Sequence, residues 1–355
     1  MQWKNKIFLF VVLCGGLIFT LVAHSMQKDR AVFPRLVEAD TQAPTSKTGA
    51  TCGCATCVTD PGWSGWFNQR FDSQQQLYLR DGRIPPDILQ WWLALQFTKD
   101  EVDMDDIIRK LFKVISTPLS SNGLQPPHWT QCRRCAVVGN SANLQASQYG
   151  QLIDSHDFVI RMNTAETRGY ERDVGGKTTH HFMYPESAVD LKAGVHLVLL
   201  PFKPLDLQWL ASALSTGNIK RTYMRVKDRI WADKDKVFVL NPAFFKYVHI
   251  NWTQYHGRYP STGMLAIIFA LHTCDQVSVF GYGADPNGNW NHYWEYNRFA
   301  GAFRKTGVHN ADFETALIKR LDEEGIIKLH SSRAGMQHTN RTTSEKANPA
   351  KVFLG

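Results

Sequence analysis

Residues 7–23 form an uncharged run of aliphatic, aromatic and small side chains. Its length is at the short end for a membrane-spanning helix. Lys4 and Lys6 precede it. By the positive-inside tendency, residues 1–6 stay cytosolic and the rest of the chain is luminal. The alternative is a cleaved signal peptide, with Ala23, His24 and Ser25 as a poor small-residue cleavage site. Both readings send the bulk of the chain into the secretory pathway. Residues 24–51 follow as a flexible stem, because 27–50 are rich in Ala, Thr, Ser, Lys and Pro with little periodic apolar content.

The folded region is expected over residues 52–330. Residues 85–112 read as helical, with Trp91, Trp92, Leu95, Ile107, Ile108, Leu111 and Phe112 on repeating faces. From Cys135 onward short apolar runs alternate with helical patterns. Residues 136–139, 158–162, 195–200, 237–240 and 277–282 read as buried strands, and 206–214 and 264–271 as helices between them. Such alternation predicts an α/β fold with a largely parallel sheet. Residues 312–321 carry Phe313, Ala316, Leu317 and Leu321 at helical spacing. Residues 331–355 are polar and are expected to form a loose tail.

The formal charge of +8 favours anionic partners, but no dense Lys/Arg run marks a nucleic-acid arm. A dispersed positive field suits an anionic nucleotide-sugar equally well. Of the seven cysteines, Cys14 lies in the apolar run. Cys52, Cys54, Cys57, Cys132, Cys135 and Cys274 remain on the luminal side, an even set that suggests disulfides. The spacing of Cys52, Cys54 and Cys57 with Cys132 and Cys135 could also imitate a thiolate zinc site. Asn251 and Asn340 open sequons available for N-glycosylation in that compartment.

Three local patterns carry chemistry. Around Gly139, Asn140, Ser141 and Ala142 a strand ends in a tight turn, whose backbone N–H groups could hold a phosphate, with the Asn140 amide aimed at the ligand. Further on, Ser261 or Thr262 can cap an apolar helix, and Gly263 allows a ligand close to the backbone. That helix leads through Cys274 to a strand ending in Gly281, Tyr282 and Gly283. Lastly, His292 has Glu295 nearby, and His309 has Asp312 and Glu314. A carboxylate can orient an imidazole and raise its basicity for acid–base work. Each pattern alone is also compatible with a purely structural role.

Together and in this order the patterns resemble the sialyl motifs of animal sialyltransferases. Residues 135–163 resemble the large motif and 258–283 the small motif. His292 to Glu295 resembles the third motif, and His309 to Glu314 the very-small motif. The likeness runs from about Cys52 to His330. Segments 91–96, 178–187 and 201–203 are most similar to the α2,3-sialyltransferases acting on Galβ1,3GalNAc.

The resemblance implies a Rossmann-like, mostly parallel sheet flanked by helices behind one Golgi signal-anchor of type II topology. It implies that Asn140 and Asn163 bind the CMP part of CMP-sialic acid. Ser261, Thr262, Gly263 and Gly283 would line the cytidine and phosphate site. Tyr223 and Tyr259 would hydrogen-bond the phosphate or acceptor, and Gln96 would contact the acceptor galactose. His292 would sit by the leaving phosphate and His309 would be the general base. The implied disulfides are Cys52–Cys57, Cys54–Cys132 and Cys135–Cys274. The chain departs from the family pattern at Ala142 and Tyr282, where glycine and phenylalanine are more usual, and at Asn310, where aspartate often stands.

The implied reaction is an inverting single displacement, in which a histidine takes the proton of the galactose 3-hydroxyl while donors stabilise the departing phosphate. Asp103 with Asp105, and Asp233 with Asp235, match the Asp-x-Asp string of metal-dependent glycosyltransferases. The first pair suits a helix N-terminus and the second a charged stretch before a strand, so no metal cofactor is expected. The rival reading is a catalytically silent glycan- or nucleotide-binding protein on the same fold.

Overall fold

Apolar runs without polar alternation suit strands buried on both faces, and that is how they are used. The computed structural model describes residues 52–60, 62–80, 82–96, 102–115, 132–285, 288–297 and 306–330. The expected anchor, stem and tail, together with Asn340, lie outside the described residues. Among the described residues no helix is long and apolar enough to cross a membrane.

Seven strands make one sheet: β1 (Arg134–Val138), β2 (Phe158–Met162), β3 (His180–Met183), β4 (His196–Leu199), β5 (Val237–Val239), β6 (Gln276–Phe280) and β7 (Lys328–His330). All pairings are parallel and the order is β5-β4-β3-β2-β1-β6-β7. Successive strands therefore run outward from β1 in one direction, and the chain returns to β1's other side for β6 and β7. Val138 at the end of β1 pairs with Arg161 on one side and Phe280 on the other. The carboxyl ends of β1, β2 and β6 are thus level, and the switch in strand order marks the edge at which open α/β sheets bind ligands in a crevice.

Six longer helices cover the sheet: α1 (Pro86–Ala94), α2 (Met104–Phe112), α3 (Pro204–Ala213), α4 (Pro242–Tyr247), α5 (Thr262–Thr273) and α6 (Ala311–Glu323). Residues 85–112 thus contain two helices rather than one. Asp103 starts the second by accepting from the Asp106 N–H. Asp105 meets Arg83 at 3.1 Å, and Asp233 accepts from Gly194 N–H at 2.7 Å.

α5 is apolar on every side and buried from Met264 to Leu271, since it lies between the sheet and the helices outside it. Cys135 and Val137 of β1 face α5, while Ala136 and Val138 face Leu144, Ile153 and Phe280 on the other side. α1, α2 and α3 pack together over β4 and β5.

The six luminal cysteines form Cys52–Cys57, Cys54–Cys132 and Cys135–Cys274. Their sulfurs are used in these bridges, so they do not supply the thiolates of a zinc site. Cys135–Cys274 ties the end of α5 to β1 across 139 residues of sequence. Removing closure entropy of that order from the unfolded chain is worth roughly 4–5 kcal/mol in the chain-entropy account.

Candidate active site

Three strand ends and one helix start define the crevice. After β1 the chain passes through Gly139, where a Cβ would lie 2.3 Å from the Gly281 carbonyl oxygen, so only glycine lets the β1 and β6 turns touch. Beyond Asn140 the backbone donors of the following turn are taken. The Ser141 N–H donates to Gly281 O, Ala142 N–H to Asn291 O, Asn143 N–H to Ser141 Oγ and Leu144 N–H to Ser141 O. Those donors close the turn on itself through Ser141 and tie it to Gly281 and Asn291. What the turn offers instead is Asn140. Its Nδ2 donates to Met162 O at 3.1 Å, and its Oδ1 is buried with no partner. A buried acceptor left unmet is costly unless a ligand donor reaches it.

Asn163 follows β2 with φ 59°, in the left-handed region that asparagine tolerates better than most residues. It is fixed from both ends. Its carbonyl accepts from His181 Nε2 at 2.6 Å and its Oδ1 from Ser187 Oγ at 3.0 Å.

Unpaired backbone donors lie at the start of α5. Ser261 caps this helix, its Oγ accepting from Met264 N–H at 3.1 Å. Glu314 of α6 holds the cap, accepting from Ser261 N–H at 2.8 Å and from Ser261 Oγ. Burial raises the Glu314 carboxyl to about 7, against the lowering effect of its Ser261 bonds. No described protein group accepts from Thr262 or Gly263 N–H, the orphan donors of a helix start. Glycine is needed at 263 to let Tyr282 pack against the helix start. A Cβ there would meet Tyr282 Cε1 at 2.9 Å, and the Tyr282 hydroxyl donates to Gly263 O at 3.0 Å. The tyrosine that replaces the usual phenylalanine thus finds a buried partner. Gly283, at φ 86°, has open space where a Cβ would stand.

Of the two histidines, His292 pairs through Nδ1 with Glu295 Oε1 at 2.9 Å and stacks on Trp294 at 4.6 Å. Its backbone bridges to Ser141, which places it over the β1 turn. Among the described residues no carboxylate is hydrogen-bonded to His309. Glu314 is committed to Ser261, and Asn310 caps α6 by accepting from Phe313 N–H at 3.0 Å. The His309 Nδ1 instead donates to the Tyr259 carbonyl at 2.9 Å, leaving Nε2 as the lone-pair nitrogen. Burial lowers the His309 pKa below its ordinary 6.5, and the bond to Tyr259 opposes this. At neutral pH His309 is therefore a neutral base with a fixed tautomer.

The Tyr259 hydroxyl meets Gln96 Nε2 at 3.2 Å just beyond the end of α1. The α1 residue Trp92 donates to Pro201 O at 2.8 Å, which fixes that helix against the end of β4. Tyr223 is 56% exposed, and its ring lies 3.9 Å from Lys203 Nζ. Burial and the neighbouring Asp206, Tyr259 and Glu186 raise its hydroxyl pKa, with Arg258 opposing. Lys203 in turn pairs with Glu186 and Asp206. Sequence reasoning gave no role to this charged cluster. The one available signal was a lysine three residues before an aspartate at the start of an otherwise apolar helix.

An unpaired asparagine acceptor, a capped helix start and a half-buried, neutral histidine thus lie near the strand-order switch of a parallel sheet. The chain matches glycosyltransferase family 29 (sialyltransferase) over residues 79–326 and belongs to that family. It is 53% identical over 284 residues to the CMP-N-acetylneuraminate-beta-galactosamide-alpha-2,3-sialyltransferase 2 of Mus musculus, covering 79% of this chain and 80% of that protein. It is 55% identical over 284 residues to the corresponding sialyltransferase 1 of Gallus gallus, covering 79% and 82%. A solved mammalian sialyltransferase in complex with Gal-beta-1-3GalNAc-ortho-nitrophenol superposes with a TM-score of 0.73 at 46% identity, covering 79% of this chain and all of that one.

Proposed function

We propose that this protein is a β-galactoside α2,3-sialyltransferase that transfers sialic acid from CMP-sialic acid to the 3-hydroxyl of galactose in Galβ1,3GalNAc. The observation that carries the chemistry is the His309–Tyr259 bond, since it leaves an oriented, neutral Nε2 to receive a proton. The acceptor hydroxyl oxygen attacks the anomeric carbon, and the bond from that carbon to the phosphate oxygen breaks. CMP leaves with the electron pair, the hydroxyl proton passes to His309, and configuration inverts. Histidine is suited to this role because its pKa lies near the working pH.

Asn140 and Asn163 would hold the nucleoside and ribose, the orphan donors at Thr262 and Gly263 the phosphate, and Gly283 would leave room for the ligand. His292 and the hydroxyls of Tyr223 and Tyr259 would stabilise the departing phosphate. Gln96 and Tyr259 would place the galactose. The reaction needs no metal in this reading. Both Asp-x-Asp strings have structural tasks, which supports it. Residues 7–23 would anchor the protein in the Golgi membrane with residues 24–51 as stem, 52–330 as the luminal catalytic domain and 331–355 as tail. Asn340 would be available to glycosylation, and Asn251 would be so once its Nδ2 gives up the 3.4 Å bond to Arg70 O.

The test is transfer from CMP-sialic acid to a Galβ1,3GalNAc aryl glycoside by the full chain in detergent, with and without EDTA. Sialylation at the galactose 3-position, unchanged by EDTA, supports the reading. Activity that vanishes in EDTA and returns with Mn²⁺ removes the metal-free mechanism. A folded protein that binds CMP yet transfers to no galactoside would instead be a silent binding protein.

A further inference from the structure

The cluster behind Tyr223 is more elaborate than the fold requires. Asp206 alone completes the start of α3, its Oδ2 accepting from Phe202 N–H at 2.9 Å and from Lys203 N–H at 3.2 Å. Lys203 neutralises it, with Nζ 2.7 Å from Asp206 Oδ1, and only 8% of the lysine side chain is exposed. That pair would close by itself. Yet Glu186 brings a second carboxylate to within 3.2 Å of the same ammonium, with its side chain 12% exposed. Adding a second buried carboxylate to one ammonium costs desolvation without completing any element of the fold.

What the extra group does is reach outward. Glu186 Oε1 accepts from Thr222 Oγ1, and the Lys203 ammonium lies under the ring of Tyr223 at 3.9 Å. Both contacts end on adjacent residues of one tight loop. Thr222 N–H donates to Met224 O at 3.0 Å there, and Arg221 bridges to Arg225. The loop is otherwise open to solvent, with Arg221, Tyr223, Met224 and Arg225 all exposed. Such a loop would sample many positions unless pinned. An ammonium held between two carboxylates is a fixed post for an aromatic ring, and the adjacent hydroxyl bond stops the loop from rotating about that post.

We propose that Lys203, held by Glu186 and Asp206, is a positioning residue that fixes Tyr223 at the active-site crevice through the loop of residues 221–225. It does not touch substrate and acts only by setting where the tyrosine hydroxyl stands. Its effect on transfer rests on the placement of Tyr223 beside the donor proposed above, whereas the tether to the loop does not.

Two readouts test this. Kinetically, Lys203→Met lowers kcat/KM about tenfold in the native background, the order expected from losing one desolvated cation–π contact. In a Tyr223→Leu background the same change costs less than about twofold, because the coupled partner is already gone. Lys203→Arg, which keeps a cation under the ring, restores most of the activity. Structurally, tryptic cleavage after Arg221 and Arg225, followed by mass spectrometry on the folded chain, is faster in Lys203→Met and in Thr222→Val.

Thr222→Val removes one tether without stranding a buried charge. It keeps its melting temperature within about 2 °C, so it carries the test if Lys203→Met does not fold. Equal losses in the two backgrounds, or loop cleavage unchanged in Thr222→Val, overturn the proposal. Absence of transfer by the wild type would strike the proposed function, and the cleavage rates would still decide the tether.

Discussion

The His309 Nδ1 lies 2.9 Å from the carbonyl oxygen of Tyr259, a bond between two segments 50 residues apart in sequence. A carbonyl can only accept, so the proton sits on Nδ1 and the basic nitrogen is Nε2. Burial holds the imidazole neutral to lower pH than in water. Protonation would abolish its capacity to accept, so transfer falls as pH drops through the His309 pKa. The acid limb of a kcat/KM profile is expected below pH 6.5, and His309→Ala lowers kcat by about 100-fold or more while CMP still binds. An acid limb above 7 that survives in the variant would assign the base elsewhere.

The hydrogen bond from Gln96 Nε2 to the Tyr259 hydroxyl crosses from α1 to the same segment that holds His309. Gln96→Ala removes that bond together with the acceptor contact proposed for Gln96. One neutral hydrogen bond is worth about 1 kcal/mol, so acceptor KM rises roughly fivefold while donor KM stays unchanged. Initial-rate measurements varying each substrate in turn separate the two. A change confined to donor KM would move Gln96 out of the acceptor site.

Much of this was legible in the sequence for one physical reason. β1, β2, β4, β5 and β6 are mostly buried and leave short, largely apolar runs, interrupted by Arg161 in β2 and Ser278 in β6. β3 left none. It opens with His180 and His181, whose contacts are invisible along the chain: His180 packs against Phe158 and stacks on His196, and His181 donates to Asn163 O. β7 is a three-residue edge strand with no burial pattern to read. The break between α1 and α2 was marked by Asp103 as a cap, but the aspartates there also matched a metal-binding string. In the site, the motif residues stood out because they lie at strand and helix ends. The partners that orient them did not. The Tyr259 carbonyl is a backbone atom, and the Lys203 cluster joins residues from three separate segments.

His180 should set part of the acid limit of stability. Its ring lies between Phe158 and His196, with Arg133 contributing a like charge, and its Nε2 is buried without a partner. Burial lowers its pKa to about 3, and the charges of His196 and Arg133 push the same way. A depressed pKa means stability that is complete above the unfolded value of 6.5 and lost as pH falls toward 3. His180→Phe keeps the aromatic stack and removes the titration. It gives up the contact of His180 Nδ1 with Thr179 Oγ1 at 2.9 Å, a cost present at every pH. Melting temperature plotted from pH 7 to 4 therefore falls less steeply in the variant than in the wild type. Parallel curves would mean that His180 is already accessible to protons in the native state.

Glu314 shifts in the opposite sense and so predicts the opposite pH dependence. Its carboxyl, raised by burial from the ordinary 4.5 to about 7, prefers the neutral form in the folded protein. The stability attached to that preference is complete below 4.5 and is lost as pH rises through 7. Glu314→Gln cannot ionise, yet it can still accept from Ser261 N–H and donate to Ser261 Oγ. The variant should therefore gain stability relative to the wild type as pH rises from 4.5 to 7, read as the difference in urea midpoints at each pH. Because Glu314 holds Ser261, and Ser261 caps the helix whose start is proposed to hold the phosphate, donor KM should change little in the same variant at pH 6. A midpoint difference that stays flat across this range would show that the carboxylate remains ionised at the helix cap. The Ser261 hydroxyl and N–H would then be bonded to a permanent negative charge, close to the position proposed for the donor phosphate.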